Sequence, residues 1–259
     1  MANDKRRGCS YSRRLMRILR ELLHSLKNDS PVTAGVLGSH LIALASRRLG
    51  LSANLQSPDY PDPVVPMQEV ETLVGRSARD LANWLLEDEL IRAGIGMAAL
   101  NSLLEVDYSA LVEANAKEII ADRSAGKNLM VVGHFPFVEQ LQSKVRNLWV
   151  MEKAPHEGDL SEEEGYQILP EADVVAITGS SLINRTFERI IANCKLGSFK
   201  VMLGPSTPLS PILLDFDLDV IGGALVEDVS TVLNMVKKGV PFRRMQGIRT
   251  MVIAKDSLR

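Results

Sequence analysis

The second half of the chain alternates between short apolar runs and amphipathic stretches. The apolar runs follow one another at intervals of roughly 20 to 30 residues, and they begin near Asn128, Asn147, Asp173, Lys200, Asp219 and Thr250. Most of the segments between them carry apolar residues at helical spacing, as in Phe137–Val145, Leu182–Ala192 and Val229–Lys238. Strands and helices that alternate in this way form βαβ units, so the pattern predicts an α/β fold with a doubly wound, mainly parallel sheet.

Three short polar loops follow directly behind apolar runs of this half. They are Gly133–Phe137, Thr178–Ser181 and Gly204–Pro208. In an open α/β sheet, the carboxyl ends of the strands border a crevice in which ligands bind. The loops therefore predict a small-ligand site at one edge of the sheet, without identifying the ligand.

The first half of the chain has a mixed pattern. A helix is predicted from Ser12 to about Lys27, and Val32–Val36 and Leu41–Ala45 alternate with period two, which is typical of a β-hairpin. Ser57 to Pro66 is irregular, and two helices follow at Ala78–Leu86 and Asp88–Leu104, the second with a small-residue face at Gly94–Ala99. We expect residues 1–115 to form a small α+β domain and residues 116–259 the larger α/β domain.

Composition restricts the class of partner. The formal net charge of −2 over 259 residues argues against nucleic acid or an anionic membrane as the main partner. No stretch approaches the ~20 apolar residues that span a bilayer. The two cysteines, Cys9 and Cys194, form no disulfide framework, which fits a reducing cytoplasm. The apolar face of the first helix could pack on a second subunit, so a homodimer is an open alternative.

Two of the loops resemble helix starts that attract anions. Ser206 or Thr207 fits an N-cap, with Pro208 in the first turn of the helix. Thr178-Gly179-Ser180 likewise predicts a helix start, with Asn184 one helical turn later. Unpaired amides at such a position attract a carboxylate or a phosphate. The alternative is an ordinary capped helix, with Asn184 exposed on its surface.

His134 is a candidate metal ligand, because a neutral imidazole at a strand end is free to coordinate. Its candidate companions are Glu152, His156 and Asp159. None of these has the local spacing of a known metal motif, so a histidine that hydrogen-bonds the backbone is the alternative.

Glu152 has a second interpretation. It lies about 19 residues after Gly133, which matches the acidic residue that holds a ribose hydroxyl in dinucleotide-binding folds. Phe135 and Phe137 occupy the approach that a pyrophosphate needs, so a dinucleotide is disfavoured. An S-adenosyl or mononucleoside ligand stays open.

Two further positions are candidate ligand contacts. Gly222, followed by a second glycine, marks a close approach of the backbone to a ligand or to a neighbouring strand. Asp228 precedes the last helical pattern, where an N-cap is the alternative to a ligand contact.

These motifs form a distinctive set. The chain resembles a prokaryotic family of uncharacterised proteins labelled "putative heavy-metal chelation" over about Asn128 to Gly239, on the segments Val132–Pro136, Glu152–Asp159, Leu169–Asp173, Thr178–Ser180 with Asn184–Thr186, Gly204–Pro208, and Gly222 with Asp228. The resemblance implies an enolase N-terminal-like domain joined to a Rossmann-like domain, with a site between them. Ile95–Asn101 resembles the helix of the first domain. Asp217 departs from the family, which tends to have glycine there.

The leading hypothesis is that the protein binds a metal ion, or a small anionic ligand that chelates a metal, in a cleft between the two domains. His134, Glu152 and Asp159 would contact the metal. The other expected ligand contacts lie in the loops at the same edge of the sheet: Gly133, Phe135, Thr178, Gly179, Ser180, Asn184, Gly204, Ser206, Thr207, Gly222 and Asp228.

Two alternatives remain. One is a transferase with a nucleoside cofactor of the S-adenosylmethionine type, and the other is a non-catalytic sensor or carrier of a small ligand. No residue pair is forced into an acid–base or nucleophilic role, so enzyme status stays open. A divalent metal ion is the cofactor that the leading hypothesis implies.

Overall fold

The computed structural model of the chain describes residues 16–55 and 70–255. The part of the first helix before Met16 and the irregular stretch from Ser57 to Pro66 lie outside the described residues. The strands are β1 Ala34–Leu37, β2 Leu41–Ala45, β3 Leu49–Ala53, β4 Asn128–Val132, β5 Asn147–Met151, β6 Val174–Thr178, β7 Phe199–Leu203, β8 Val220–Val226 and β9 Ile248–Ala254. The α-helices are α1 Arg17–His24, α2 Ala78–Ala82, α3 Leu90–Leu103, α4 Ala116–Ser124, α5 Glu162–Ile168, α6 Ser180–Ile183, α7 Phe187–Asn193 and α8 Val229–Lys237.

The larger sheet has six strands in the order β5-β4-β6-β7-β8-β9. All neighbours are parallel except β8 and β9, which are antiparallel. The prediction of an α/β fold with a mainly parallel sheet is therefore confirmed. Its strands are mainly apolar because both faces are covered: in β4, Met130 and Val132 pack into one hydrophobic cluster, and Leu129 and Val131 into another.

The smaller sheet is antiparallel, with the order β1-β2-β3. It contains the predicted hairpin and a third strand, β3, that the sequence analysis did not predict. Alternate residues of β2 face opposite sides: Ile42 and Leu44 pack with α1 to α3, whereas Leu41, Ala43 and Ala45 pack against α8. Helix α8, which follows β8 of the larger sheet, therefore covers the outer face of the smaller one.

Helix α3 is apolar on all sides and nearly all of its residues are buried. Its glycines permit close approach, as the small-residue face predicts. A Cβ at Gly96 would lie 2.3 Å from the Leu85 backbone nitrogen, and one at Gly94 would lie 2.8 Å from the Ile42 side chain. None of the helices in residues 16–55 and 70–255 is long and apolar enough to cross a membrane.

Two predicted helices differ in the structure. The prediction of a helix over Phe137–Val145 is wrong, because the structure has only a 3-10 helix there, Val138–Leu141. Its first and last residues, Val138 and Leu141, are both buried. The chain then turns, and the Lys144 amide donates to the Leu141 carbonyl. The helix predicted over Leu182–Ala192 is divided into α6 and α7 at Arg185, whose φ is 61°. The left-handed conformation cannot continue a right-handed helix.

The predicted helix start at Ser206 and Thr207 is also wrong. These residues lie in an irregular segment, and a 3-10 helix begins only at Pro211, after Ser210. The Ser206 hydroxyl accepts a hydrogen bond from the Ala53 amide of the smaller sheet, at 2.8 Å. It is therefore engaged across the junction between the sheets and does not cap a helix.

Candidate functional site

A cleft of about 990 Å³ opens at the carboxyl edge of the larger sheet. The loops after β4, β5, β6 and β7 line it, and His40 and Ala53 close it from the smaller sheet. The parallel strands have the order 2-1-3-4-5 of flavodoxin-like folds. In this order the direction in which successive strands are added to the sheet reverses between the first and third strands, here β4 and β6. Ligands of such sheets bind at this reversal, where Gly133 directly follows β4 and Thr178 is the last residue of β6.

The glycines at this edge allow the loops to pack on one another. Gly133 has a φ of 97°, and a Cβ there would lie 3.0 Å from the Thr178 side chain. A Cβ at Gly179 would lie 2.5 Å from the Thr207 hydroxyl oxygen. The amides of Gly133, Gly179 and Gly204 donate to the carbonyls of Met151, Leu203 and Gly222 respectively. These three amides are therefore already used and do not form a cradle for phosphate.

Three potential metal ligands lie together at the cleft: His134, His156 and Asp159. Their donor atoms all lie within 4.8 Å of one another. The Nδ1 atoms of His134 and His156 each lie 3.7 Å from the Asp159 Oδ2 atom. The two imidazole rings are nearly perpendicular, with centroids 5.1 Å apart. Both histidines are exposed, whereas the Asp159 side chain is 8% exposed.

A tight turn after β5 brings His156 and Asp159 together. The His156 amide donates to the Asp159 Oδ2 atom at 3.0 Å, and the Asp159 amide donates back to the His156 carbonyl. Gly158 provides the left-handed residue of the turn, with a φ of 93°. Leu160 then pairs with the edge of β5, since its amide donates to the Val150 carbonyl. His134 approaches from the neighbouring strand, β4.

The donor set suits a transition metal. At 3.7 Å the imidazole and carboxylate atoms are too far apart for a hydrogen bond. Metal–ligand bonds of about 2.0–2.1 Å in a tetrahedral site place neighbouring donors roughly 3.3 Å apart, and the two nitrogen–oxygen separations of 3.7 Å are close to that value. Imidazole favours zinc, copper, iron and nickel over magnesium or calcium. The residues present therefore fit a divalent transition-metal ion.

Glu152 lies apart from this cluster. It lines the cleft at the end of β5, but its Oε1 atom accepts a hydrogen bond from the next amide, that of Lys153, at 2.8 Å. The predicted metal contacts were His134, Glu152 and Asp159, whereas the structure brings His134 and Asp159 together with His156. His156 was among the candidate companions of His134.

The end of β6 and the segment that follows it contribute Thr178, Ser180 and Asn184 to the cleft lining. The Thr178 hydroxyl accepts a hydrogen bond from the Ser180 amide at 3.3 Å. The Asn184 side-chain oxygen accepts hydrogen bonds from the amide and the hydroxyl of Thr186, which lines the cleft as well. Helix α6 is a single turn of four residues, so it supplies no helix dipole of consequence for an anion.

Several expected contacts are engaged elsewhere. Ser206 and Thr207 are 1% and 3% exposed, and like Gly179 they lie behind the cleft wall and outside its lining. Asp228 caps α8 and also lies outside the lining: its carboxylate accepts hydrogen bonds from the Thr231 amide and from the hydroxyls of Thr231 and Ser230. These bonds, that of the Thr231 hydroxyl foremost, lower the pKa of Asp228 to about 2. The remaining expected contacts lie in the cleft lining: Gly133, His134, Phe135, Glu152, Thr178, Ser180, Asn184, Gly204 and Gly222.

The cleft also contains residues that the sequence analysis did not select. Lys117 lies in the first turn of α4, Arg243 follows α8, and His40 lies in the turn between β1 and β2. Phe135 and Phe137 stack with ring centroids 5.4 Å apart and form an apolar wall. His40 and Arg243 reach the cleft only because the smaller sheet and α8 pack on the larger sheet. Their position therefore depends on tertiary structure, and no spacing motif in the sequence indicates it.

Comparison with protein families identifies the chain. A family model described as "putative heavy-metal chelation" matches residues 115–255, and a second model with the same description matches residues 19–104. The chain belongs to this family. Its members include solved structures of the DUF364 family, whose function is unknown, from Desulfitobacterium hafniense and Pyrococcus horikoshii.

The structural likeness extends over nearly the whole chain. The Desulfitobacterium protein is 24% identical, with a TM-score of 0.80 over 94% of this chain and 100% of its own. The Pyrococcus protein is 20% identical, with a TM-score of 0.77 over 93% of this chain and 99% of its own. An uncharacterised protein of Methanocaldococcus jannaschii is 27% identical over 173 residues, which span 63% of this chain and 66% of that relative. These likenesses support the fold.

Proposed function

We propose that this chain binds a divalent transition-metal ion through His134, His156 and Asp159, together with a small anionic organic ligand in the cleft. The observation that carries the proposal is the convergence of two imidazole nitrogens and one carboxylate oxygen within 4.8 Å at the cleft. The description of the family, "putative heavy-metal chelation", supports a metal as the bound species.

The local geometry favours a metal over a hydrogen-bonded histidine–aspartate pair. Such a pair requires a nitrogen–oxygen distance near 2.9 Å, and both histidines are 3.7 Å from Asp159. The carboxylate is also held by the His156 amide, so it is fixed before a metal arrives. Three protein ligands leave at least one coordination position open, as in sites where a metal also contacts a small molecule.

The size and lining of the cleft favour an organic ligand beside the metal. A cleft of about 990 Å³ is far larger than an ion requires and lies at the upper end of the range for small-molecule sites. Phe135 and Phe137 offer apolar contact. Three basic side chains line the cleft (Lys117, Lys153 and Arg243) against two carboxylates (Glu152 and Glu162). We infer that the ligand is an anion whose donor groups complete the coordination of the metal.

We also propose that residues 1–115 form an enolase N-terminal-like part and residues 116–259 a Rossmann-like part, with the cleft between the two. A homodimer and a cytoplasmic location stay predictions from the sequence. The alternative of a non-catalytic carrier is compatible with the same metal site.

Glu152 favours a second candidate function. It lines the cleft at the end of β5, the position at which related folds bind a ribose, so an S-adenosylmethionine-type transferase is the alternative. A ligand that binds only the native state raises the melting temperature. A melting shift with S-adenosylmethionine and none with divalent metals would favour this alternative.

Titration of untagged protein with Co²⁺ and Zn²⁺ tests the metal site. We expect one equivalent of metal to bind wild-type protein, and His134→Ala and His156→Ala each to weaken binding at least about tenfold. His24→Ala is the matched control, because His24 is exposed on α1, away from the cleft. Equal binding by all four proteins, or no binding by any, would contradict the proposal.

A further inference from the structure

Arg185, which lies between α6 and α7, has a strained backbone beside the cleft. Its φ is 61°, in the left-handed region that residues with a side chain rarely adopt. The residues on either side of it, Asn184 and Thr186, both line the cleft, whereas Arg185 does not. The strained residue therefore sets the direction of the chain where the chain borders the cleft.

Two hydrogen bonds anchor Arg185 to the first half of the chain. Its guanidinium donates to the Asp88 carboxylate and to the Glu87 carbonyl, and its side chain is 18% exposed. Glu87 and Asp88 precede α3, and the Glu87 carboxylate is paired with Arg92 of that helix at 2.7 Å. The turn beside the cleft is therefore tied to α3.

The same turn fixes the orientation of the Asn184 side-chain amide. Its Oδ1 atom accepts hydrogen bonds from the Thr186 amide at 3.2 Å and from the Thr186 hydroxyl at 2.7 Å. A backbone amide can only donate, so the atom that faces it must be the oxygen, and both lone pairs of this oxygen are used. The Nδ2 atom has no hydrogen-bond partner within residues 16–55 and 70–255. This nitrogen is the free end of an amide that lines the cleft.

Two hydroxyl groups of the preceding segment are also available to donate. Thr178 and Ser180 line the cleft, and neither hydroxyl donates a hydrogen bond to another residue that the structure describes. The Thr178 oxygen already accepts a bond from the Ser180 amide at 3.3 Å, which leaves its hydrogen free. Ser180 is only 8% exposed, and a hydroxyl in such a position normally has a partner. The segment therefore offers free donors, while much of its capacity to accept is used.

We propose that Thr178, Ser180 and Asn184 bind a carboxylate group of the ligand, and that Arg185 is the positioning residue that orients Asn184. A carboxylate accepts several hydrogen bonds and donates none, so it matches a segment with free donors. An ammonium group would need acceptors, and the Asn184 oxygen is fully occupied. The subsite rests on the part of the proposed function that places an anion in the cleft, and it does not depend on the metal.

An NMR titration of the metal-free full chain with malonate tests the subsite. We expect saturable shifts of the Asn184 side-chain amide and the Ser180 backbone amide with malonate, and none with ethylenediamine, a cation of similar size. Asn184→Asp retains an oxygen for Thr186 but replaces the donor by a negative charge, so malonate should bind at least about tenfold more weakly. Asn193→Asp is the matched control, because it adds the same charge on α7 outside the cleft lining.

Arg185→Gly tests the positioning role. Glycine adopts the left-handed conformation without strain but lacks the guanidinium. We expect malonate affinity to fall about threefold to tenfold, and Asn184→Asp to have a smaller effect in Arg185→Gly than in wild type. Equal effects of Asn184→Asp in both backgrounds would show that Arg185 has a structural role alone, and the positioning role would be overturned.

The subsite itself is overturned by three results, whether or not Arg185→Gly folds. They are no malonate binding, malonate binding that leaves the Asn184 and Ser180 resonances unshifted, and equal malonate affinity of Asn184→Asp and Asn193→Asp. Because the protein is free of metal in this titration, the result is independent of the Co²⁺ and Zn²⁺ titrations. Failure of the subsite and failure of the metal site are therefore distinguishable.

Discussion

The Lys200 ammonium, which is 2% exposed, lies 3.0 Å from the Asp217 carboxylate. Asp217 has a φ of 64° and ends the 3-10 helix that precedes β8. This left-handed conformation is one that glycine adopts without strain, and glycine is what the family resemblance leads one to expect at this position. In this chain the aspartate retains the turn and provides the counter-charge for a buried lysine. The two residues therefore depend on each other.

We expect Asp217→Gly to destabilise the protein by about 1–2 kcal/mol. Glycine relieves the strain of the left-handed residue, worth roughly 1 kcal/mol, but it leaves the buried Lys200 ammonium with the Ser198 carbonyl as its remaining partner. In Lys200→Met the same Asp217→Gly change should be neutral or stabilising. A double-mutant cycle by urea unfolding measures the coupling. Equal effects of Asp217→Gly in both backgrounds would show that the Lys200–Asp217 ion pair does not contribute to the free energy of unfolding.

The close approach of α3 to the 3-10 helix Asn83–Leu86, which follows α2, predicts a severe effect of Gly96→Ala. The added Cβ would lie 2.3 Å from the Leu85 backbone nitrogen, a contact that side-chain rotation does not relieve. We expect a loss of at least about 3 kcal/mol in unfolding free energy. Gly197→Ala is the control, since Gly197 has a φ of 76° and open space around it, and it should cost about 1 kcal/mol.

The large parallel sheet could be predicted from sequence because its signals are local. Each strand is a short apolar run, and the polar loops behind β4, β6 and β7 follow from the same pattern. Strand β3 was missed because it depends on tertiary packing. Gly50 lies so close to α3 that a Cβ there would be 2.1 Å from the Ala98 carbonyl oxygen, and this contact has no sequence signature.

The candidate site could be predicted only in part for the same reason. His134 and Asp159 follow neighbouring parallel strands, so their proximity follows from the topology. The choice of His156 over Glu152 depends on the turn at Gly158 and on the pairing of Leu160 with the edge of β5. Likewise, the guanidinium of Arg185, the left-handed residue that divides the predicted helix, bonds to the Asp88 carboxylate and the Glu87 carbonyl in the first half of the chain, and no local pattern indicates these long-range contacts.

The cap of α8 predicts a pH-dependent contribution to stability. The pKa of Asp228 is lowered to about 2 by its hydrogen bonds, so the folded state favours the ionised carboxylate. This contribution is complete above the unfolded-state pKa near 3.9 and is lost as the pH falls through about 2. We expect Asp228→Asn to lower the melting temperature at pH 7 by about 2–4 °C and to match wild type near pH 2. A difference that stays constant from pH 7 to pH 2 would contradict this origin.

Asp159 has two roles that separate variants distinguish. Its Oδ2 atom accepts a hydrogen bond from the His156 amide, which stabilises the turn. The same atom lies 3.7 Å from the Nδ1 atoms of both histidines. Asp159→Asn retains an acceptor for the amide but loses the charge, whereas Asp159→Ala loses both. We expect Co²⁺ affinity to fall at least about tenfold in both variants, and amide exchange at His156 to increase only in Asp159→Ala. Glu157→Gln, in the same turn but exposed and outside the cluster, is the control. Wild-type Co²⁺ affinity in Asp159→Asn would show that the carboxylate serves the turn alone, and the metal site would then have to lie elsewhere.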